Sequence, residues 1–375
     1  MLKEDLATCI DLRHQLHRHP ELSWQETWTK ANLLHFLKEK TNVFEIVDRG
    51  HYFYAFYQGA SDPEASAIAF RADFDALPIE DKIAADYVSQ IPGKGHKCGH
   101  DGHAATLCGL ALEINRLKPE RNVVLLFQPA EEVGEGAKAC LDIFAECKID
   151  SFYAYHNYPG QPFQTVALNK GTLALTSKGL NLYFKGKPSH AMRPEDGINP
   201  SYAMAKLVSA LENIQTDHSL FKGMIRLTIV HVAVGEKAFG ISAGQGVLRL
   251  TIRALYDEDL QHLEDLVVAQ AQSLSKQYQL EFSWDSQEYF PATVNHSEAV
   301  DKIWQVCQGQ GQAIKELEEP FRASEDFAYF LQKVPGAMFF MGDGEDYAPL
   351  HTEGFDFPDG LIEPVVEVFY GLIQA

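Results

Sequence analysis

Hydrophobic positions change their period from one segment of the chain to the next. Residues 4 to 18 and 26 to 39 carry apolar side chains at helical spacing, so each predicts an amphipathic helix. The first must stop before Pro20, which pushes His19 out of helical geometry. Residues 66 to 72, 122 to 127 and 151 to 155 are short apolar runs rich in Val, Ile, Phe, Tyr and Ala, the composition of strands covered on both faces. Residues 104 to 117 read as a further helix.

From about 178 to 286 the order changes to strand (180 to 185), helix (200 to 214), strand (224 to 233), strand (246 to 254), helix (257 to 276) and strand (279 to 284). This is the β-α-β-β-α-β order of a ferredoxin-like unit. Its second helix is the better marked, with Leu260, Leu263, Leu266, Val267, Ala271 and Leu274 at helical spacing and Asp257 near the start, where a carboxylate suits the dipole. Helices and a strand at 337 to 341 follow. The expected organisation is α/β: a discontinuous domain of residues 1–177 and 288–375 with a central mixed sheet, and an inserted α+β domain at 178–287. No internal repeat or long linker separates them, so the joins are short.

The apolar runs end in polar residues. The first leads into Asp73 and Asp75, the second into Gln128, Pro129, Ala130, Glu131 and Glu132, and the third into His156 and Asn157. Ligand crevices of open α/β sheets lie outside the carboxyl ends of the strands, so these groups are expected to converge although about 80 residues separate the first from the last. The cluster Cys98-Gly99-His100-Asp101-Gly102-His103 is a second signal, since four of its six residues can bind a metal and its glycines let the backbone bend. Its rival reading is a turn with Asp101 capping the helix that follows. The doubled acid Glu131-Glu132 is costly after a buried strand unless it is exposed or offset by a cation. Beside a divalent ion, one carboxylate can ligate while its neighbour takes a proton from water. His351 lies in a loop after the last strand, whereas His14, His17 and His19 read as packing or hydrogen-bonding groups around the first helix.

Composition narrows the partners. A chain of 375 residues predicts two domains, and 46% hydrophobic residues suffice for a sizeable core. Fifty-two acidic against 32 basic residues give a formal charge of -20, which repels a phosphate backbone and leaves no polybasic stretch for an anionic membrane. Neither nucleic acid nor a membrane is an expected partner. Apolar runs such as Val123 to Phe127 fall far short of the roughly 20 residues needed to cross a bilayer. The first residues, with Lys3, Glu4, Asp5, Asp11 and Arg13, lack the apolar core of a signal peptide, so a cytoplasmic location is expected. The six cysteines show no paired spacing and are expected to be reduced and buried; only Cys98 sits among candidate ligands.

Taken in order, the landmarks His17-Arg18-His19-Pro20-Glu21-Leu22, Arg71-Ala72-Asp73-Phe74-Asp75-Ala76-Leu77-Pro78, Cys98 to His103, Gln128 to Glu132, Gly186-Lys187-Pro188-Ser189-His190-Ala191, Ser324-Glu325-Asp326-Phe327 and Leu350-His351-Thr352 carry a family resemblance. The chain resembles the M20 family of metallopeptidases, specifically its amidohydrolase branch of aminoacylase-like, hippurate and auxin-conjugate hydrolases. The resemblance implies a zinc-peptidase-like catalytic domain with an inserted ferredoxin-like lid and dimerisation domain. It implies two divalent ions per subunit (Zn, Mn, Co or Ni) held by Cys98, His100, Glu132, His156 and His351, with Glu131 as general base and then general acid. The implied reaction is deacylation of an N-acyl amino acid by metal-activated water, in a homodimer formed through the inserted domain.

Asp75 is expected to orient a ligand histidine, because metal-bound imidazoles usually donate their other nitrogen to a carboxylate or carbonyl. Asp73 and His103 stay outside the metal set. His190 resembles the family histidine that stabilises the tetrahedral oxyanion, often from the partner subunit. Arg253 resembles an arginine able to hold a substrate carboxylate, with a surface ion pair as its alternative role. The chain departs from many relatives at Phe239-Gly240-Ile241-Ser242-Ala243, where they carry Asn-Val-Ile-Pro. A dipeptidase or carboxypeptidase with the same machinery is the nearest alternative. A catalytically silent binding homologue is the alternative of another class, and Glu131 speaks against it, because a binding site needs no general base beside Glu132.

Overall fold

In the computed structural model, which describes residues 1–62 and 64–375, the apolar runs form the middle of an eight-stranded sheet. Strands Phe44–Arg49 (β1), Tyr52–Tyr57 (β2), Ala67–Asp73 (β3), Asn122–Gln128 (β4) and Ile149–Pro159 (β5) lie in the order β1-β2-β4-β3-β5, followed by Gly336–Gly344, Val166–Leu168 and Ile314–Glu316. β3 pairs parallel with both β4 and β5, and Gly336–Gly344 pairs parallel with β5, whereas β2 runs antiparallel to β4. The sheet is therefore mixed. Every residue of β3 and β4 is buried, which is why, Arg71 aside, their interiors read as apolar runs rather than alternating ones. Parallel neighbours end on one edge, so the carboxyl ends of β3, β4, β5 and Gly336–Gly344 open on the same side.

Helices Lys3–Arg18 (α1), Thr27–Lys40 (α2) and His100–Leu117 (α3), with Ser297–Gln310 and Ile362–Gln374, complete a unit made of Met1–Leu173, Val294–Glu319 and Asp326–Ala375. Leu12 and Leu16 of α1, Leu107, Leu110 and Ile114 of α3, and Val365 and Phe369 near the C-terminus share one core with Phe70 and Tyr153 of the sheet. α3 is buried continuously from His100 to Ile114. It brings its first turn to the sheet's carboxyl edge.

Two of the boundaries that differ from the sequence expectation bear on the site. β5 continues through His156 and Asn157 to Pro159, because Gly336–Gly344 gives it a parallel partner that pairs His156 with Phe340 and Asn157 with Met341. These polar residues stand inside the strand rather than beyond it. α3 starts at His100 rather than 104, and its N-cap is Gly99 at φ 102. Asp101 is therefore not the cap; it sits in the first turn, where it accepts from Arg13 and His17. A Cβ at position 99 would collide with the Asn157 amide oxygen, so both the backbone angle and the packing require glycine there.

The second unit comprises Ala174–Thr293 and Pro320–Glu325. Its strands Thr176–Lys185, Ile225–Val234, Gln245–Ala254 and Glu281–Phe290 form one antiparallel sheet, in which Gln245–Ala254 and Thr176–Lys185 are central and the other two are edges. Helices Ser201–Thr216 and Asp257–Gln277 pack Leu207, Leu211, Leu260, Leu263 and Val267 onto Leu182, Phe184, Leu250 and Ile252, giving the ferredoxin-like architecture. A short strand pair, Ser189–His190 with Ile241–Ser242, stands apart from that sheet.

Candidate metal centre

Five potential ligands converge at the carboxyl edge of the first unit's sheet. Cys98 comes from the segment before α3, His100 from its first residue, Glu132 from the turn after β4, His156 from β5 and His351 from the loop after Gly336–Gly344. The Cys98 Sγ lies 3.4 Å from His156 Nε2 and 3.3 Å from His351 Nε2. Glu132 places Oε2 3.6 Å from His351 Nε2 and Oε1 3.8 Å from His100 Nε2. Ligands about 2.0 to 2.3 Å from one tetrahedral ion are themselves about 3.3 to 3.8 Å apart, so these atoms are spaced as ligands are.

The residues fit a metal on a second count. Among the described residues, neither His100 Nε2 nor Glu132 Oε1 has a hydrogen-bond partner, although both atoms are shut off from solvent. Buried polar atoms are nearly always satisfied, and a cation between these two satisfies both. Thiolate, imidazole and carboxylate together suit zinc and its transition-metal neighbours, whereas calcium and magnesium prefer all-oxygen sets. Three of the candidate ligand groups, Cys98-His100-His156, Cys98-Glu132-His351 and His100-Glu131-Glu132, share members.

Local structure aims each donor. After β4 the chain passes through Ala130 at φ 51 into a single turn, Glu131–Val133, which carries both acids to the sheet edge. The Glu132 N–H donates to Asp75 Oδ2 at 3.1 Å, and Ser23 Oγ donates to the same oxygen at 2.8 Å. His100 Nδ1 donates to Asp75 Oδ1 at 3.0 Å, which leaves the lone pair on Nε2 facing the centre. His156 Nδ1 donates to the Asn157 carbonyl at 2.7 Å and likewise presents Nε2. Glu131 is buried, with Oε2 4.0 Å from His100 Nε2, beside the ligands.

Asp73 and His103 are close by but otherwise engaged. His103 Nδ1 lies 2.6 Å from Asp73 Oδ1 and its Nε2 lies 2.8 Å from Asn157 Oδ1, so both ring nitrogens already have partners, although Asp73, His100 and His103 also lie within ligand range of one another, with Asp73 Oδ2 3.8 Å from His100 Nε2. Asp73 Oδ2 accepts from Arg71 Nη1 at 2.6 Å, and Arg71 also donates to Gln128 Oε1 and Asp326 Oδ1, each at 2.9 Å. The roles of Ser23, Asn157 and Asp343 were not found from the sequence. Asn157 Nδ2 donates to Asp343 Oδ2 at 3.0 Å, and burial raises the Asp343 carboxyl to about 7 against that bond. Only the adjacency of Asn157 to His156 hinted at it.

The electrostatics are those of too many acids around too little positive charge. Burial depresses His100, but Asp73, then Asp75 and Glu132, outweigh it and raise the imidazole to about 10. Burial pushes Glu132 up to about 7 against the attraction of His100. It also drives the Cys98 thiol well above its usual range, with Glu132, Glu131 and Asp73 adding to it, and His156 well below its own. A divalent ion reverses this pattern by holding thiolate, carboxylate and neutral imidazole together.

His190 and Arg253 belong to the second unit. His190 is exposed, pairs with Ile241, and accepts the Met192 N–H at Nδ1 at 3.1 Å. Arg253 is half-buried and donates from Nη1 to Ser324 Oγ at 2.9 Å. Among the described residues no ion pair is formed by it. All six cysteines are free and buried. Among the described residues no helix is long and apolar enough to cross a membrane.

A mixed sheet with a Cys/His/Glu cluster at its carboxyl edge, together with a ferredoxin-like insertion, defines a metal-dependent hydrolase of the zinc-peptidase kind. The profile of Peptidase family M20/M25/M40 matches residues 69–375, and the chain belongs to that family. It is an enzyme acting on linear amides. The N-acetyl-L-cysteine deacetylase of Bacillus subtilis (strain 168) is 31% identical over 342 residues, covering 90% of this chain and 81% of the relative. The N-acetyldiaminopimelate deacetylase of Halalkalibacterium halodurans is 30% identical over 369 residues, 98% of each chain. Among solved structures, a dinuclear metal binding peptidase of the M20 family from Bacillus subtilis superposes with a TM-score of 0.84 at 25% identity, covering 100% of this chain and 98% of that one.

Proposed function

We propose that the protein hydrolyses N-acyl amino acids to a carboxylic acid and a free amino acid, with two divalent ions bound by Cys98, His100, Glu132, His156 and His351. The observation that carries the reading is the convergence of those donors, 3.3 to 3.8 Å between neighbours, with the buried Glu131 carboxylate beside them. Two divalent ions in that donor set would supply Lewis acidity for the scissile carbonyl and lower the pKa of water toward neutrality. Glu131 takes that proton and returns it to the leaving amine. Asp75 keeps the His100 proton on Nδ1 and steadies the Glu132 backbone through its second oxygen. Zinc, manganese, cobalt and nickel all suit the mixed donor set.

Two residues of the second unit complete the reading. His190 accepts the Met192 N–H at Nδ1, which leaves Nε2 as the ring's donor for the oxyanion-stabilising role its resemblance implies. The guanidinium of Arg253 has donors to spare beyond Ser324 for the carboxylate of the amino acid. A homodimer is supported by the edge strand Ile225–Val234, which exposes Ile229, Val230 and Val232 to a second copy. A solution mass that stays at one chain across the micromolar range removes the dimer.

Amine release from N-acetyl, N-benzoyl and longer N-acyl amino acids, beside unmodified dipeptides, tests the substrate class. Turnover of the acylated substrates alone is expected. Turnover of the dipeptides alone makes the protein a dipeptidase built on the same centre.

A further inference from the structure

Lys97, the residue before Cys98, is wholly buried. A lysine almost never sits there unless it is paired. Its Nζ is bound to Asp81 Oδ1 and donates to the Phe355 carbonyl at 2.8 Å. Its own carbonyl accepts the N–H of His351 at 2.7 Å. A single residue thus grips the loop from 351 to 355 at both ends, while its covalent neighbour is Cys98.

Charges around it brace the grip. Asp81 Oδ2 accepts the Ser89 N–H at 2.8 Å and the His17 Nε2 proton at 3.1 Å. His17 Nδ1 donates to Asp101 Oδ2 at 2.7 Å, and Arg13 Nη1 donates to Asp356 Oδ1 at 2.6 Å on the far side of the same loop. His351 needs such bracing. Its side chain is half exposed and its backbone has φ 60, a region a residue with a Cβ occupies at a cost unless its surroundings hold it. The other histidine ligands are fixed by different groups, His100 by Asp75 and His156 by the Asn157 carbonyl.

We propose that Lys97 is a positioning residue of the metal centre: it sets His351 against Cys98 and so governs the ion held by Cys98, Glu132 and His351, but not the ion held by Cys98, His100 and His156. The inference rests on the two-ion reading above and adds separate control of one ion. Its consequence is that the two sites are lost one at a time when the grip is broken.

Lys97→Met keeps the apolar stem and removes the ammonium. The protein is stripped of metal and titrated with cobalt, following the ligand-field and sulfur-to-cobalt absorption bands, and kcat and KM are measured with an N-acyl amino acid. The second equivalent is expected to bind about 10- to 100-fold more weakly while the first is unchanged, with kcat reduced and KM preserved. His351→Ala should show the same selective loss, and the double variant little more, because both act on one site. If Lys97→Met does not fold, Asp81→Asn weakens the same grip, and the same selective loss of smaller size is expected. Tight binding of both equivalents with wild-type spectra overturns the inference, and so does equal weakening of both, which is the mark of a merely structural residue. Wild-type protein that takes up fewer than two ions refutes the two-ion reading itself and the inference with it, and is recognised without any variant.

Discussion

Asp75 Oδ1 lies 3.0 Å from His100 Nδ1, and the same carboxylate accepts the Glu132 N–H at 3.1 Å through its other oxygen. One acid therefore aims two of the proposed ligands. Replacing it in Asp75→Ala frees the imidazole to rotate and to move its proton to the nitrogen that should ligate. Metal affinity is expected to fall about 10- to 100-fold without loss of the fold. Competition against a chromophoric chelator measures it, and an unchanged affinity would mean that Asp75 does not orient the ligand.

Arg71 bears on stability. It is buried between Asp73 and Asp326, with donor-acceptor distances of 2.6 and 2.9 Å. Arg71→Met would leave both carboxylates inside the protein without their guanidinium, and breaking a buried pair in this way costs about 3 to 5 kcal/mol. Urea unfolding followed by tryptophan fluorescence should show a loss of that order; a loss under about 1 kcal/mol would mean the network is not a source of stability.

His17 gives the fold a pH dependence. Burial opposes its charge, but the charge and hydrogen bond of Asp101 and the bond to Asp81 raise it to about 9. The folded state thus holds the proton more tightly than the unfolded chain, where histidine titrates near 6.5. Its contribution is whole below about pH 6.5 and is lost as pH rises through about 9, amounting to at most about 3 kcal/mol. The fall in unfolding free energy across that window should be steeper in wild type than in His17→Gln; equal slopes would remove His17 as its cause.

Much of this arrangement was legible in the sequence for a physical reason. Strands covered on both faces are mostly apolar, so the acids and histidines at or near the carboxyl ends of β3, β4 and β5 stood out against them. The residue types of the ligand cluster did the rest. Less legible were groups whose meaning depends on distant chain. A lysine beside a cysteine reads as surface charge until the loop from 351 to 356 folds back over it, and Arg71 meets Asp326 across 255 residues. The start of α3 was hidden because Gly99 and Gly102 resemble a turn. Gly102 lies within the helix all the same, and the Phe357 ring packs where its Cβ would lie. Pro320–Glu325 returns to the second unit through a bridge between Ala174 and Phe321, the Leu175 N–H to the Ala323 carbonyl and Arg253 to Ser324, which leave no periodicity to read.

The central claim is that ions bound by Cys98, His100, Glu132, His156 and His351 work with Glu131 to cleave an amide. Its most direct test is amine release from an N-acyl amino acid by metal-stripped protein, by the same protein with zinc, manganese or cobalt restored, and by metal-loaded Glu131→Gln. Activity that appears only with metal, and falls by roughly 10² or more in a variant retaining its metal, is the predicted result. Turnover that survives metal removal, or that Glu131→Gln leaves intact, would contradict the account.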